Sequence, residues 1–113
     1  MKITHYSFGK IVIDNKTYTS DVIIYPDHVD PSWRRKEGHN LSIDDLIDAI
    51  SSRPEILLIG KGFLGVMKVP EETVDYIRSQ GIEVRVERTG KAAGTFNSLQ
   101  DRRRIIAVFH LTC

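Results

Sequence analysis

The sequence has a single cysteine, Cys113, at the last of its 113 positions. One cysteine excludes an intramolecular disulfide and is typical of a protein in a reducing compartment. The longest apolar runs are far shorter than the roughly 20 residues of a membrane-spanning helix. The basic start is not followed by the apolar core of a signal peptide. We therefore expect a cytoplasmic protein with no membrane partner.

An excess of charge of either sign is also missing. Lysine and arginine number 16 against 15 acidic residues, for a formal net charge of +1. This balance gives no global attraction to polyanions. Arg102–Arg104 end a predicted helix, where cations complement the helix dipole. Because no stacking platform or nucleic-acid motif accompanies them, we expect no nucleic-acid partner.

Three nearly continuous apolar runs predict strands that are buried on both faces: Val22–Tyr25, Ile56–Ile59 and Ile105–Phe109. Strand-like residues also flank the turn signal Asp14–Lys16, which predicts an N-terminal hairpin. A chain of this length forms a single domain, residues 1–113, with a substantial core.

Helical signals lie between the strands. Ser42 is a predicted N-cap with Asp45 at its capping-box position. The apolar residues that follow have the spacing of one helical face: Ile43, Leu46, Ile47 and Ile50. Pro70 suits the first position of a second helix, and Gly81 its C-terminal cap.

The last helix is predicted to be short. The glycine- and alanine-rich segment Thr89–Thr95 predicts a loop, followed by a helix near residues 96–101. The alternation of strands and helices predicts an α/β fold in which some neighbouring strands are parallel.

The segment Gly60–Gly65 matches the dinucleotide-binding pattern G-x-G-x-x-G after a strand. Glu87 lies near the distance expected of a ribose-binding acid. However, the pattern requires a helix that begins within the glycines, and here Pro70 marks the helix start. We therefore interpret the segment as a glycine-permitted turn, and expect neither NAD nor FAD nor any other cofactor.

Residues 82–87 alternate between apolar and charged side chains, which predicts a further strand. Basic residues follow the ends of this strand and of Ile56–Ile59: Lys61, Arg88 and Lys91. Ligands of open α/β sheets bind beyond such strand ends. The long polar loop of residues 26–40 could cover that edge with Trp33, Arg34 and His39. We expect a small anion as a ligand if these groups converge, whereas the alternative is solvated surface charge. The four histidines lack metal-ligand spacing, so no metal is expected.

Several short motifs together resemble the "MTH nine-three-eight" domain family over nearly the whole chain. They are Tyr18 with Asp21, Trp33-Arg34 with His39, Asp44-Asp45-Leu46, Gly60-Lys61-Gly62, Gly81-Ile82, Thr89 with Ala92, Asn97 with Leu99, and Arg102-Arg103. The family also includes the mitochondrial complex I assembly factor three and an adipogenesis-associated domain protein. Its glycine pair usually encloses a threonine, where this sequence has Lys61.

The resemblance implies a three-layer domain around a mixed, mostly parallel five-stranded sheet whose last strand is antiparallel. An N-terminal hairpin or small extra β layer would accompany it. No enzymatic activity follows from the resemblance, and the catalytic residues stay unknown. The implied ligand-binding cleft gathers Trp33, Arg34, His39, Gly60, Lys61, Gly62, Thr89, Lys91 and Asn97.

Two functions remain open. The favoured hypothesis is a non-catalytic binding or assembly module with a protein partner, which predicts a contiguous exposed apolar patch. The alternative is a small-anion or small-ligand binding protein, or an enzyme, which predicts a concave site where polar groups converge. In either case we expect a monomer or weak homo-oligomer.

Overall fold

The computed structural model describes all 113 residues, which form two β-sheets and three α-helices. The strands are β1 Ile3–Ser7, β2 Lys10–Ile13, β3 Lys16–Tyr18, β4 Val22–Ile24, β5 Val29–Asp30, β6 Ile56–Lys61, β7 Glu83–Glu87 and β8 Ile105–His110. A 3₁₀ segment, Ile43–Leu46, runs into α1 Ile47–Ser51, and the remaining helices are α2 Glu71–Ser79 and α3 Thr89–Leu99. None of these helices has the length and apolarity needed to cross a membrane.

The three apolar runs of the sequence form the centre of the larger sheet. Its strand order is β5-β4-β8-β6-β7, so β4, β8 and β6 are direct neighbours, as predicted. Every residue of β8 is buried, which fits a sheet covered on both faces. The pairings of β6 with β7 and β8 are parallel, and those of β4 with β5 and β8 are antiparallel. The sheet is therefore mixed, and the last strand is antiparallel only to β4.

Two apolar clusters cover the two faces of this sheet, which makes the fold three-layered. One face carries α3 and the N-terminal sheet, through a cluster that includes Ile3, Ile11, Ile13, Ala92, Ala93, Phe96, Ala107 and Phe109. The other face carries the long loop and the remaining helices, through a cluster that includes Trp33, Leu41, Leu46, Met67, Ile77, Ile106 and Val108. Successive apolar residues of β8 belong to opposite clusters, because the side chains of a strand point alternately to the two faces of the sheet.

Local signals placed the predicted hairpin and the first helical segment correctly. β2 and β3 pair antiparallel across Asp14 and Asn15, whose φ values of 49° and 67° are those of a tight hairpin turn. The backbone N–H and hydroxyl of Ser42 donate to the Asp45 carboxylate at 2.9 and 3.1 Å. α2 begins at Glu71, directly after Pro70, which is one residue later than predicted.

Two sequence-based predictions about helices were wrong. Ile47 is 54% exposed, because the preceding segment is a 3₁₀ turn with three residues per turn, which rotates the predicted face. α3 occupies Thr89–Leu99, so it already includes Thr89–Thr95, where a loop was predicted before a short helix near residues 96–101. Its alanines and Phe96 pack against the sheet, and this tertiary packing overrides the low helix propensity of the glycines.

Candidate functional site

The glycines after β6 are required by close packing. A Cβ atom at Gly60 would lie 2.7 Å from Cδ1 of Phe109 and 2.8 Å from Oγ1 of Thr89. Gly62 has a φ of 105°, and a Cβ there would overlap the backbone of Cys113. The glycine pair therefore lets the strand end approach its neighbours, a use of glycine that needs no ligand.

Thr89 joins three parts of the chain at this point. Its hydroxyl donates to the backbone carbonyl of His110 at 2.7 Å and accepts the Gly62 N–H at 2.9 Å. Thr89 is fully buried. Three predicted cleft residues, Gly60, Gly62 and Thr89, thus meet in one buried junction, where each is in contact with protein.

The loop between Gly62 and Val66 is fastened to the C-terminal segment. The N–H of Phe63 donates to the carbonyl of Thr112 at 2.8 Å, and the N–H of Val66 donates to that of Cys113 at 3.0 Å. Each such bond contributes about 1 kcal/mol. These two hydrogen bonds fix the backbone that carries the side chains of Phe63 and Val66.

This loop and the β1–β2 turn expose four large apolar side chains, which we call the apolar patch: Phe8, Phe63, Leu64 and Val66. They are 54%, 47%, 55% and 44% exposed, and they are four of the seven large apolar residues that the protein exposes. The ring centroid of Phe63 lies 5.8 Å from that of Phe8 and 6.2 Å from that of Tyr6. These aromatic contacts join two loops that are 55 residues apart in sequence.

Two cations pack against the loop of the apolar patch. Arg88 donates from Nη2 to the carbonyl of Leu64 at 3.0 Å. A Cβ placed on Gly65 would lie 3.2 Å from Cγ of Arg88 and 3.4 Å from Cε of Lys61. Neither cation has a carboxylate within 4.0 Å. Both positive charges are therefore without an internal counter-ion.

A buried charged cluster lies beneath the long loop. The Asp21 carboxylate accepts hydrogen bonds from Nη1 of Arg35 at 2.6 Å and from the Leu111 N–H at 2.8 Å. Nδ1 of His110 lies 2.9 Å from the same carboxylate. The side chains of Arg35 and His110 are each 7% exposed, so the cluster ties the long loop to the end of β8 within the protein.

The environment of Asp21 favours its ionised form. Burial acts to raise its pKa, but the hydrogen bonds from His110, Arg35 and the Leu111 N–H outweigh burial and hold the pKa below its ordinary value. Because the carboxylate accepts from Nδ1, we assign a proton to Nδ1 of His110. Nε2 of His110 and Nε of Arg35 are buried without a hydrogen-bond partner.

An imidazole oriented by a carboxylate is a common feature of general bases. Here Nε2 of His110 is buried, and the ring of His39 packs edge-on with its centroid 6.1 Å away. A second contact, between Nε2 of His5 and the Ser7 hydroxyl at 3.2 Å, lies on the exposed surface of β1. No group of three His, Cys, Asp or Glu residues is arranged to hold a metal ion.

The remaining predicted cleft residues lie in several places. Trp33 and Arg34 line a groove of about 640 Å³, together with four aspartates: Asp30, Asp44, Asp45 and Asp48. His39 borders a separate shallow depression with Lys68. Lys91 is exposed on α3, 4.0 Å from Glu87. The basic residues Arg34, Lys61 and Lys91 therefore do not line one common cavity.

Asn97 is used within the fold. Its side-chain amide donates to the carbonyl of Ile3 at 2.7 Å and accepts the Ile3 N–H at 2.9 Å. Asn97 therefore fastens α3 to β1 by pairing with both backbone groups of Ile3, as a residue of a neighbouring strand would. Among the predicted residues, the structure brings together Gly60, Lys61, Gly62 and Thr89 in one place, and Trp33 with Arg34 in another.

Comparison with known proteins identifies the family. The model of the family described as "Protein of unknown function (DUF498/DUF598)" matches residues 3–110. The chain belongs to this family. The DUF498/DUF598 match covers both sheets and all three helices, so the resemblance found in the short motifs extends over the whole fold.

Solved structures and one curated relative agree with this assignment. The conserved hypothetical protein PH1505 from Pyrococcus horikoshii is 27% identical with a TM-score of 0.85, and each chain covers 100% of the other. The protein MT938 is 25% identical with a TM-score of 0.82, covering 99% of this chain and 98% of its own. These matches confirm the predicted "MTH nine-three-eight" family and its fold.

One curated relative is the NADH dehydrogenase [ubiquinone] 1 alpha subcomplex assembly factor 3 of Xenopus tropicalis. It is 37% identical over 68 residues, which are 60% of this DUF498/DUF598 chain and 37% of the relative. The match thus spans little more than a third of that protein's length. This family of unknown function therefore includes a relative that is named as an assembly factor.

Sequence reasoning missed the exposed and the buried groups described above. Phe63 and Leu64 were treated only as variable positions of the glycine pattern, although two large apolar residues inside a tight turn are a signal of exposure. Arg35 was left out of the predicted cleft, although Arg34 was included. His110 has no local signal, since it extends an apolar strand whose other residues belong to the core.

Proposed function

We propose that this protein is a non-catalytic binding module that docks a protein partner through the apolar patch. The observation that carries the proposal is the contact of Phe63 with Phe8, which makes one surface from two exposed loops. Contiguous exposed apolar surface is the property that separates an interaction module from an ordinary surface. The assembly-factor name of one relative supports the same class of function.

The size of the patch is suitable for a docking centre. Covering the exposed halves of four large apolar side chains removes about 350 Å² of apolar surface from water. At about 25 cal/mol per Å², this burial contributes about 9 kcal/mol before the costs of association. The patch alone is smaller than a complete interface, so it would form the apolar centre of a larger, more polar contact.

The proposal is tested with a surface double variant, Phe63→Ser with Leu64→Ser. The matched control is Ile47→Ser, which removes an equally exposed side chain, 54% against 55% for Leu64, from another surface. Partners that co-purify with the wild-type chain are identified, purified and titrated by calorimetry. We expect binding to fall at least a hundredfold in the double variant and to persist in the control, with thermal stability unchanged in both.

The opposite pattern would reject the proposal. Equal loss of binding in the double variant and the control would show a general defect. Loss in Ile47→Ser alone would move the site to the groove beside Trp33, which Ile47 also lines.

A second candidate function is small-anion binding, and the unpaired charges of Lys61 and Arg88 favour it. Such groups form charge-assisted hydrogen bonds with carboxylate, phosphate or sulfate. The groove at Arg34 suits an anion less well, because its four aspartates outnumber its three cations, which are Arg34, Arg35 and Lys36. Calorimetric titration with phosphate distinguishes these two places: Lys61→Ala weakens binding at the glycine loop, and Arg34→Ala weakens binding in the groove.

A further inference from the structure

We infer that the segment docked on the apolar patch is acidic beside its apolar anchors, and that Lys61 and Arg88 receive its carboxylates. This inference rests on the proposed function and adds the chemistry of the partner. Its basis is the position of the two cations, which pack against the loop that carries Phe63 and Leu64.

The segments that form the patch carry no acidic side chain. The two exposed segments, residues 6–10 and 62–66, contain no aspartate or glutamate. The nearest acid in sequence to Arg88 is Glu87, and its side chain accepts the Thr95 hydroxyl at 2.7 Å and is only 14% exposed. A partner therefore meets two uncompensated positive charges beside an apolar surface, which is electrostatic complementarity for an acidic, apolar segment.

The guanidinium of Arg88 is positioned for this task. One of its N–H groups is used by the Leu64 carbonyl, and this bond orients the plane of the group beside the patch. A guanidinium has five N–H donors, so the remaining donors are free for a carboxylate. The side-chain ammonium of Lys61 makes no ion pair within 4.0 Å and adds a second positive charge.

Two other occupants fit less well. A second copy of the chain would bring Lys61 and Arg88 into the interface from both subunits, because a two-fold interface uses the same surface on each. The exposed segments 6–10 and 62–66 would supply no aspartate or glutamate to pair with these cations. An anionic membrane surface is usually recognised by clusters of four to eight cations, against the two that contact this loop. The observations therefore favour a separate protein segment with acidic residues.

The experiment is a selection of displayed random 12-residue peptides on the purified full-length protein, followed by anisotropy titrations of synthetic copies of the enriched peptides. We expect enriched peptides to combine aromatic or aliphatic residues with aspartate or glutamate. Lys61→Glu should weaken their binding about tenfold in 50 mM NaCl and much less in 500 mM NaCl. Arg78→Glu is the matched control, because it makes the same change of charge on the exposed surface of α2.

The outcomes separate this inference from the proposed function. The inference is overturned if the peptides whose binding depends on Phe63 lack acidic residues. It is also overturned if Lys61→Glu leaves their affinity unchanged. In both cases the proposed docking function still stands. If no peptide depends on Phe63, both fail. Binding to vesicles of phosphatidylcholine and phosphatidylserine, or a dimer in sedimentation that Phe63→Ser dissociates, assigns the patch to another occupant and also overturns the inference.

Discussion

Replacing Gly62 with alanine tests whether the glycine loop is a packing device. The new methyl group would overlap the Cys113 backbone and would lie 2.7 Å from the carbonyl oxygen of Thr112. The residue would also be forced to keep a φ of 105°, which side chains other than glycine rarely adopt. Both effects act on the segment that fastens the apolar patch.

The expected cost combines these two effects. Backbone strain at positive φ costs about 1–2 kcal/mol. Relieving the overlap by moving the C-terminal backbone costs about 1–3 kcal/mol more. We therefore expect Gly62→Ala to lower the free energy of unfolding by about 3 kcal/mol, a large part of the roughly 5–15 kcal/mol that stabilises a typical domain.

Gly81→Ala is the matched control, since it isolates the strain. Gly81 has a φ of 80°, and no atom lies within 4 Å of the position of its Cβ. The Gly81→Ala variant should therefore lose only about 1–2 kcal/mol of the free energy of unfolding. Both variants are measured by urea unfolding at 25 °C, followed by circular dichroism, with equal m-values required for the comparison.

Two results would refute this reasoning. If Gly62→Ala costs no more than Gly81→Ala, the overlap is absorbed without a penalty and packing does not explain the glycine. If Gly62→Ala leaves stability unchanged but abolishes binding of a small ligand, the glycine serves the approach of that ligand.

Three further predictions follow from other parts of the structure. Gly94→Ala should stabilise the protein by about 0.5–1 kcal/mol in the same urea assay, because Gly94 lies inside α3 with open space around it. Asp21→Asn should cost about 3 kcal/mol, since it leaves Arg35 buried without its carboxylate. Because the folded pKa of Asp21 is lowered, the wild-type advantage should be full above about pH 4 and disappear as the pH falls through that folded pKa. Calorimetry should detect no NAD binding at Gly60–Gly65, and saturable binding that Gly62→Val removes would contradict this.

The family fold could be predicted from the sequence because its signals are local or periodic. The runs Val22–Tyr25, Ile56–Ile59 and Ile105–Phe109 are apolar at nearly every position and rich in β-branched residues, which is typical of strands in a sheet covered on both faces. Asp14-Asn15 specifies a tight hairpin turn by its tolerance of positive φ. The position of Pro70 correctly separated the glycine loop from the start of α2.

The candidate site depended on contacts that no local pattern contains. Phe8 and Phe63 form one surface only because the β1–β2 turn folds over the end of β6. Asp21 and His110 are 89 positions apart and meet because β4 and β8 pair antiparallel. Arg34, Lys61 and Lys91 lie in or after segments that the sequence places near one sheet edge. The three-dimensional course of those segments nevertheless puts Arg34 in a groove and Lys91 on the exposed surface of α3.

The sequence by itself determined the three central strands of the larger sheet, the N-terminal hairpin, where two turns lie and the α/β class of the fold. These properties depend on residue type and on spacing within about ten positions, which a sequence displays directly. The tertiary structure alone decided that Thr89–Thr95 is helical and that Phe63 joins an exposed apolar surface. In each case the deciding free energy comes from contacts, or from their absence, with residues distant in sequence, and local propensity is too weak to oppose it.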